Sequence, residues 1–129
     1  VLIHALMTFF PKCPLLMATE DSDGAFTQLR LHPDQQQYSY YHVIDPAGSV
    51  VYFCHLSGWF GPRLIPHAWC RVMAFLNTIL RRRFCIPCDC RMDDLIVIIP
   101  KLMATFHVRV LATIKCVCRW LGLLLAPKK

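Results

Sequence analysis

At 129 residues the chain is long enough for one domain with a real core and too short for two. Hydrophobic residues make up 56% of it, which excludes global disorder; no run reaches the roughly 18 uncharged apolar residues of a membrane span, and the apolar start lacks the basic flank and small-residue cleavage site of a secretion signal. The expectation is an intracellular protein, cytoplasmic or nuclear, neither secreted nor membrane-bound, whose formal net charge of +6 suits a polyanionic partner such as nucleic acid.

Residues 1–10 are apolar and suit a short helix closed by Pro11 and Pro14. Residues 15–19 read as a buried strand that delivers Glu20, Asp21, Ser22 and Asp23 at its end. Taken alone, Asp21 suits a cap on a short helix over residues 24–31, and His32-Pro33-Asp34 with three glutamines makes a polar loop. Residues 38–44 and 49–56 are rich in aromatic and β-branched side chains, and Asp45-Pro46-Ala47-Gly48 between them marks a β-hairpin turn.

Gly58, Gly61, Pro62 and Pro66 forbid regular structure over residues 57–66 and permit close approach of the backbone to something else. Beyond Pro66, Trp69, Val72, Met73, Leu76, Ile79 and Leu80 recur at three and four residues, the pattern of an amphipathic helix. Arg81-Arg82-Arg83 closes it, where positive charge suits the helix dipole. These arginines are placed to touch a phosphate backbone, although a solvated helix end is the plainer reading.

Residues 88–92 and 95–99 make a tight hairpin with Asp93-Asp94 at or near its tip. A second helix follows over residues 101–121, with Phe106, Val110, Ile114, Val117 and Leu121 on one stripe and Gly122 as its stop; residues 123–126 form a last short strand. The order of elements predicts an α+β fold, an antiparallel sheet with helices packed on one face.

Eight cysteines raise the question of zinc, with Cys85, Cys88 and Cys90 as the obvious cluster. Zinc needs four converging ligands, and Cys116 and Cys118 would point roughly 200° apart on a helix. Most of the cysteines are therefore expected to act as small buried apolar residues, with a zinc-stabilised interaction module on Cys85, Cys88 and Cys90 as an alternative. The start at Val1 and the end at Lys128-Lys129 directly after an apolar segment suggest a piece of a longer protein.

Asp21, Asp93 and Asp94 are the acids of chemical interest. A strand end and a hairpin tip on neighbouring strands can bring Asp21 and Asp93 together, an arrangement that repels unless a cation neutralises it. Hard oxygen ligands favour Mg²⁺ or Mn²⁺, completed by water and substrate phosphates, and point to two-metal phosphoryl transfer. Each acid considered singly also fits a solvated turn or a cap.

Asp21-Ser22-Asp23-Gly24-Ala25-Phe26, continuing through Gln28, Leu29 and Leu31-His32-Pro33, resembles the first palm motif of reverse transcriptases, an aspartate followed five positions on by an aromatic. Val51-Tyr52-Phe53 through Phe60-Gly61, with Pro66 and Trp69, resembles the second, a Phe-Gly turn before a Pro-led helix. Arg91-Met92-Asp93-Asp94-Leu95-Ile96-Val97 resembles the third, and Leu121-Gly122-Leu123 through Pro127-Lys128-Lys129 the fourth, a Gly turn followed by a lysine. The motifs stand in family order from about residue 15 to the end, closest to retrotransposon enzymes.

The resemblance implies a palm-like core, as a single partial domain over residues 1–129 with incomplete fingers and no thumb. It implies RNA-directed DNA polymerase activity on an RNA or DNA template-primer and deoxynucleotides, with Mg²⁺ or Mn²⁺ held by Asp21 and Asp93, Asp94 adjacent, and further polyprotein domains beyond the chain. By the same resemblance Asp23, Gly24 and Ala25 lie beside the incoming triphosphate, and Phe26 is the sugar gate that favours deoxynucleotides. Phe60 and Gly61 contact nucleotide and template, Pro66 starts the supporting helix, and Lys128 donates a proton to the leaving pyrophosphate. Two positions depart from the family pattern: Arg91 stands where an aromatic supports the primer end, and Ile65 where a small residue precedes the proline. With the missing subdomains, these leave an inactive retroelement remnant that at most binds nucleic acid as the alternative.

Overall fold

A computed structural model describes residues 2–59 and 61–127. In chain order the elements are α1 (Leu2–Phe9), β1 (Leu15–Asp21), a 3-10 turn (Ala25–Gln28), α2 (Pro33–Gln36), β2 (Tyr40–Ile44), β3 (Val50–Cys54), α3 (Leu64–Arg83), β4 (Cys88–Arg91), β5 (Asp94–Pro100), a 3-10 stretch (Lys101–Phe106) and α4 (His107–Trp120). The fold is mixed α+β with small antiparallel sheets.

The core is built on β5. Its alternate residues Leu95, Val97 and Ile99 join one buried cluster with Trp69, Met73, Leu76 and Leu80 of α3 and Ile114, Val117 and Cys118 of α4. The α3 residues recur at three and four positions because that spacing puts them on one side of the helix. Helix α3 begins at Leu64, two residues before the expected start at Pro66. A proline third in a helix costs no hydrogen bond, since the first four N–H groups have no partner inside the helix.

The expected single sheet is divided in two, with strand order β1-β5-β4 in one and β2-β3 in the other. At the end of β1, Ala126 N–H donates to Asp21 O at 2.9 Å and Asp23 N–H to Leu124 O at 3.0 Å, so the C-terminal segment, not the β2-β3 hairpin, pairs there. The β2-β3 hairpin is held instead through its exit, by Leu31 N–H to Leu56 O at 3.1 Å and Gly58 N–H to Leu29 O at 2.7 Å.

Two other expectations change. Residues 123–126 make one isolated bridge, Ser22 to Leu125, rather than a strand. The helix expected from Lys101 begins at His107, after a 3-10 stretch kinked at Met103. Because 3-10 winding advances three residues per turn, Phe106 falls off the α4 stripe and is 50% exposed. No helix among the described residues is long and apolar enough to cross a membrane.

Candidate active site

Strands β1 and β5 pair so that Asp21 lies opposite Asp94, and β4 pairs with β5 so that Arg91 also lies opposite Asp94. Residues in register share a face of the sheet. One row across three strands therefore reads Asp21, Asp94, Arg91, on the face opposite Leu95 and its partners Glu20 and Cys90. All three members of the row are exposed, whereas Glu20, Leu95 and Cys88 turn inward.

Asp93 is one residue outside this row, in the two-residue turn Met92-Asp93 that joins β4 to β5. The expectation paired Asp21 with Asp93; the register gives Asp21 to Asp94 and leaves Asp93 at the tip. The tip is tied down by Ser22, 7% exposed, whose hydroxyl donates to Asp93 O at 3.0 Å and lies 4.0 Å from Met73 Sδ. This contact joins positions 71 residues apart in the chain and couples the end of β1 to the turn. The role of Ser22 was hidden in the sequence, because its signal is a hydroxyl between two acids, ordinary for any polar turn.

The residues after Asp21 curl into the 3-10 turn. Gly24 takes φ 54°, ψ 47°, and Thr27 bonds back to Gly24 O through both its N–H, at 2.8 Å, and its hydroxyl, at 2.7 Å. Asp23 is exposed, and its N–H is engaged by Leu124 O. Gln28 acts as a clasp: its Nε2 donates to Asp23 O at 2.7 Å and Leu124 O at 2.9 Å, and its Oε1 accepts from Leu124 N–H at 2.8 Å. Ala25 and Phe26 are buried, at 8% and 6% exposure, within the core cluster. The Phe26 ring thus packs inside the protein, in the cluster that holds the α3 residues Ile65, Trp69 and Met73.

Gly61 is exposed at φ 144°, in the range that favours glycine, and Pro66 is half-buried in the first turn of α3. The close approach expected of the 57–66 loop occurs at Gly58, where an added Cβ would lie 2.6 Å from Phe26 O and 2.8 Å from Ile65 Cγ2. The loop is therefore keyed to the segment that carries Phe26. Phe60 and Lys128 lie outside the described residues.

The cysteines do not converge. Cys85 is exposed, Cys88 Sγ donates to Asn77 Oδ1 at 3.2 Å and Cys90 Sγ to Met73 O at 3.4 Å. Burial pushes the Cys88 thiol up to about 11, Cys90 to about 12 and Cys118 to about 11, with the Glu20 carboxylate adding to the rise at Cys118. Burial thus favours the protonated form at these three thiols. Among the described residues no group of three or more His, Cys, Asp or Glu side chains is arranged to hold a metal ion.

The acidic row is a different kind of donor set. Asp21 and Asp94, cross-strand partners with Cβ atoms about 4.5–5.5 Å apart, put two carboxylates on one exposed face. This suits Mg²⁺ or Mn²⁺, which take one or two carboxylates and fill their remaining positions with water and phosphate oxygens. The sequence matches no protein-family model and no curated protein.

Proposed function

We propose that this chain is the palm core of a retrotransposon-type RNA-directed DNA polymerase, acting inside the cell as part of a larger polyprotein. The observation that supports it best is the pairing of Asp21 with Asp94, with Asp93 in the adjoining turn: acids far apart in the chain share one end of one sheet. The chemistry of the reading is attack of a primer 3′-hydroxyl on the α-phosphate of a deoxynucleotide, with pyrophosphate leaving. Asp21, Asp93 and Asp94 would hold Mg²⁺ or Mn²⁺, which when bound offsets the charge on the attacking and leaving oxygens.

The chain's own residues do the positioning. Ser22 fixes the turn that presents Asp93, and the Gln28 clasp with Leu124 fixes the backbone from Asp21 to Gly24 beside the triphosphate. By the same resemblance Phe26 is the sugar gate, whereas its ring, in the core cluster with Ala25, also fits ordinary core packing. Phe60 and Gly61 contact nucleotide and template, Pro66 sits in the first turn of their supporting helix, and Lys128 supplies a proton to pyrophosphate. Template-primer extension by the full-length parent tests the reading: Asp93→Asn is expected to abolish extension, and extension at the parent's rate would sink the assignment.

Arg91 favours a second reading, an inactive remnant that binds nucleic acid, because a cation replaces the flat ring beside the acids. Template-dependent deoxynucleotide incorporation by the isolated chain would rule it out.

A further inference from the structure

The β2-β3 hairpin stands apart from the main sheet as a ribbon of two strands, and every residue of β2 is exposed. Its ladder is bonded through the odd-numbered residues, Tyr41 with Phe53 and Val43 with Val51, continued by Asp45 N–H to Ser49 O and His55 N–H to Ser39 O, each at 2.9 Å. Successive residues of a strand point their N–H and C=O groups to opposite edges, so those of Tyr40, His42 and Ile44 face away from β3. Among the described residues these three make no backbone hydrogen bond outside the ribbon. The outer edge of β3 is shorter, because Leu31 N–H to Leu56 O and Gly58 N–H to Leu29 O occupy it just past Cys54. A column of stacked rings, Phe53, Tyr41, His55 and Trp59, with centroids 5.3, 4.7 and 4.6 Å apart, stiffens the ribbon and keeps the β2 edge preformed. Exposed edges are ordinarily blunted by lysine, proline or a bulge. Strand β2 has none of these, and from Gln35 to Pro62 the one Asp, Glu, Lys or Arg is Asp45, in the turn.

We infer that the open edge of β2 pairs with β2 of a second copy of this chain, antiparallel about a twofold axis through His42, to make a four-stranded sheet. A row of free N–H and C=O groups at strand spacing is matched by another extended polypeptide. Nucleic acid or an anionic lipid surface would instead need lysine or arginine, which the ribbon lacks. Charge selects a second copy. The chain carries a formal +6, so two copies repel unless they meet on an uncharged surface, and this ribbon is one. The twofold pairing sets Tyr40 against Ile44 of the second copy and Asp45 against its Ser39, so no acid faces an acid, and outward-pointing residues bond to outward-pointing residues throughout. A lone two-stranded hairpin is marginal in water, whereas three or more strands with an apolar face are stable, and doubling the ribbon supplies them. The pairing is independent of the carboxylate row, which lies on the other sheet.

The test combines sedimentation equilibrium with residue-resolved amide hydrogen exchange on the 129-residue chain, from about 1 µM to about 1 mM, the range of a small interface. The mass is expected to rise from one chain to two. Over the same range the amides of Tyr40, His42 and Ile44 should slow by about tenfold or more, while those of Val50 and Tyr52, on the other edge, stay unchanged. His42→Pro removes an outward N–H that the ladder does not use, so the hairpin is expected to persist and the mass to stay at one chain. Tyr52→Pro is expected to dimerise like the unaltered protein. Should His42→Pro disrupt the hairpin, His42→Lys sets two like charges face to face at the axis and is expected to weaken the dimer about two- to fivefold. One chain mass throughout would overturn the inference. So would a dimer that protects Val50 and Tyr52 instead, one that survives His42→Pro or is unchanged in His42→Lys, or open-ended growth beyond two chains.

Discussion

Gly58→Ala probes the contact that keys the 57–66 loop to the Phe26 segment. Its new Cβ would sit 2.6 Å from Phe26 O, 2.8 Å from Ile65 Cγ2 and 3.3 Å from Ile65 Cδ1. Carbon atoms pack best at about 3.5–4.0 Å, so something must move by close to an ångström. Phe26 O is backbone and already accepts from Leu29 N–H at 3.1 Å; Ile65 is β-branched, buried in the first turn of α3 and stiff at χ1. Overpacking of this kind costs about 1–3 kcal/mol, and the loss of unfolded-state freedom from glycine to alanine returns about 0.4–1 kcal/mol. The net expectation is a loss of about 1–2 kcal/mol, read by urea unfolding, or a fall in Tm of roughly 4–7 °C. Gly48→Ala is the control, because φ is +88° with nothing within 4 Å of its Cβ: its cost is backbone strain alone. Adding Ile65→Ala to Gly58→Ala should cost less than the sum of the two changes, by at least about 0.5 kcal/mol. A Gly58→Ala protein within about 0.3 kcal/mol of the unaltered chain, or strict additivity with Ile65→Ala, would refute the close approach.

Met92 holds φ 54° as the first residue of the β4-β5 turn, a conformation that costs a non-glycine residue about 1–2 kcal/mol. Met92→Gly relieves that strain at some cost in unfolded-state entropy, so chemical unfolding should show stability equal to or up to about 1 kcal/mol above the unaltered chain, and a clear loss would contradict the strained turn. The buried thiols predict an alkaline limit. Cys88, Cys90 and Cys118 are raised to about 11, 12 and 11, whereas unfolded thiols ionise near pH 8.5. Below that pH both states keep their protons and the contribution is complete; from about pH 9 to 12 the unfolded chain releases protons that the folded chain retains, so stability falls as pH rises. The urea midpoint should decline over that window, and more shallowly in Cys90→Ala; identical slopes would refute the assignment.

What was legible in the sequence was local. The α3 stripe follows from side-chain spacing, and the β2-β3 turn from Asp45, whose Oδ1 accepts from Ser49 N–H at 2.7 Å while Gly48 N–H bonds to Asp45 O at 2.9 Å. The opposite exposures of Cys116 and Cys118 follow from helical geometry in the same way. The division into two sheets was not legible, because it depends on which distant segment pairs beside the end of β1, where Gln28 bonds to Leu124 across 96 positions. The pairing of Asp21 with Asp94 in place of Asp93 is likewise a matter of register, which turns on whether the hairpin turn holds two residues or three. The 3-10 winding after Pro100 leaves no mark in an apolar-rich stretch that also reads as helix.

Register also explains how two like charges come to be held side by side. In β5 the inward residues are Leu95 and Val97, both fully buried, and Ile99 at 4% exposure. Slipping the strand by one residue would take all three out of the core cluster and send Asp94 toward it. Burial of each such side chain stabilises by about 1.5–3 kcal/mol, whereas a cross-strand pair of exposed charges costs at most about 1 kcal/mol. The core therefore wins, and it fixes Asp94 opposite Asp21 whether or not anything relieves their repulsion. The apolar face of the same strand thus supplies the constraint that keeps the two acids together. The residual repulsion between the two exposed carboxylates is small enough for the fold to carry.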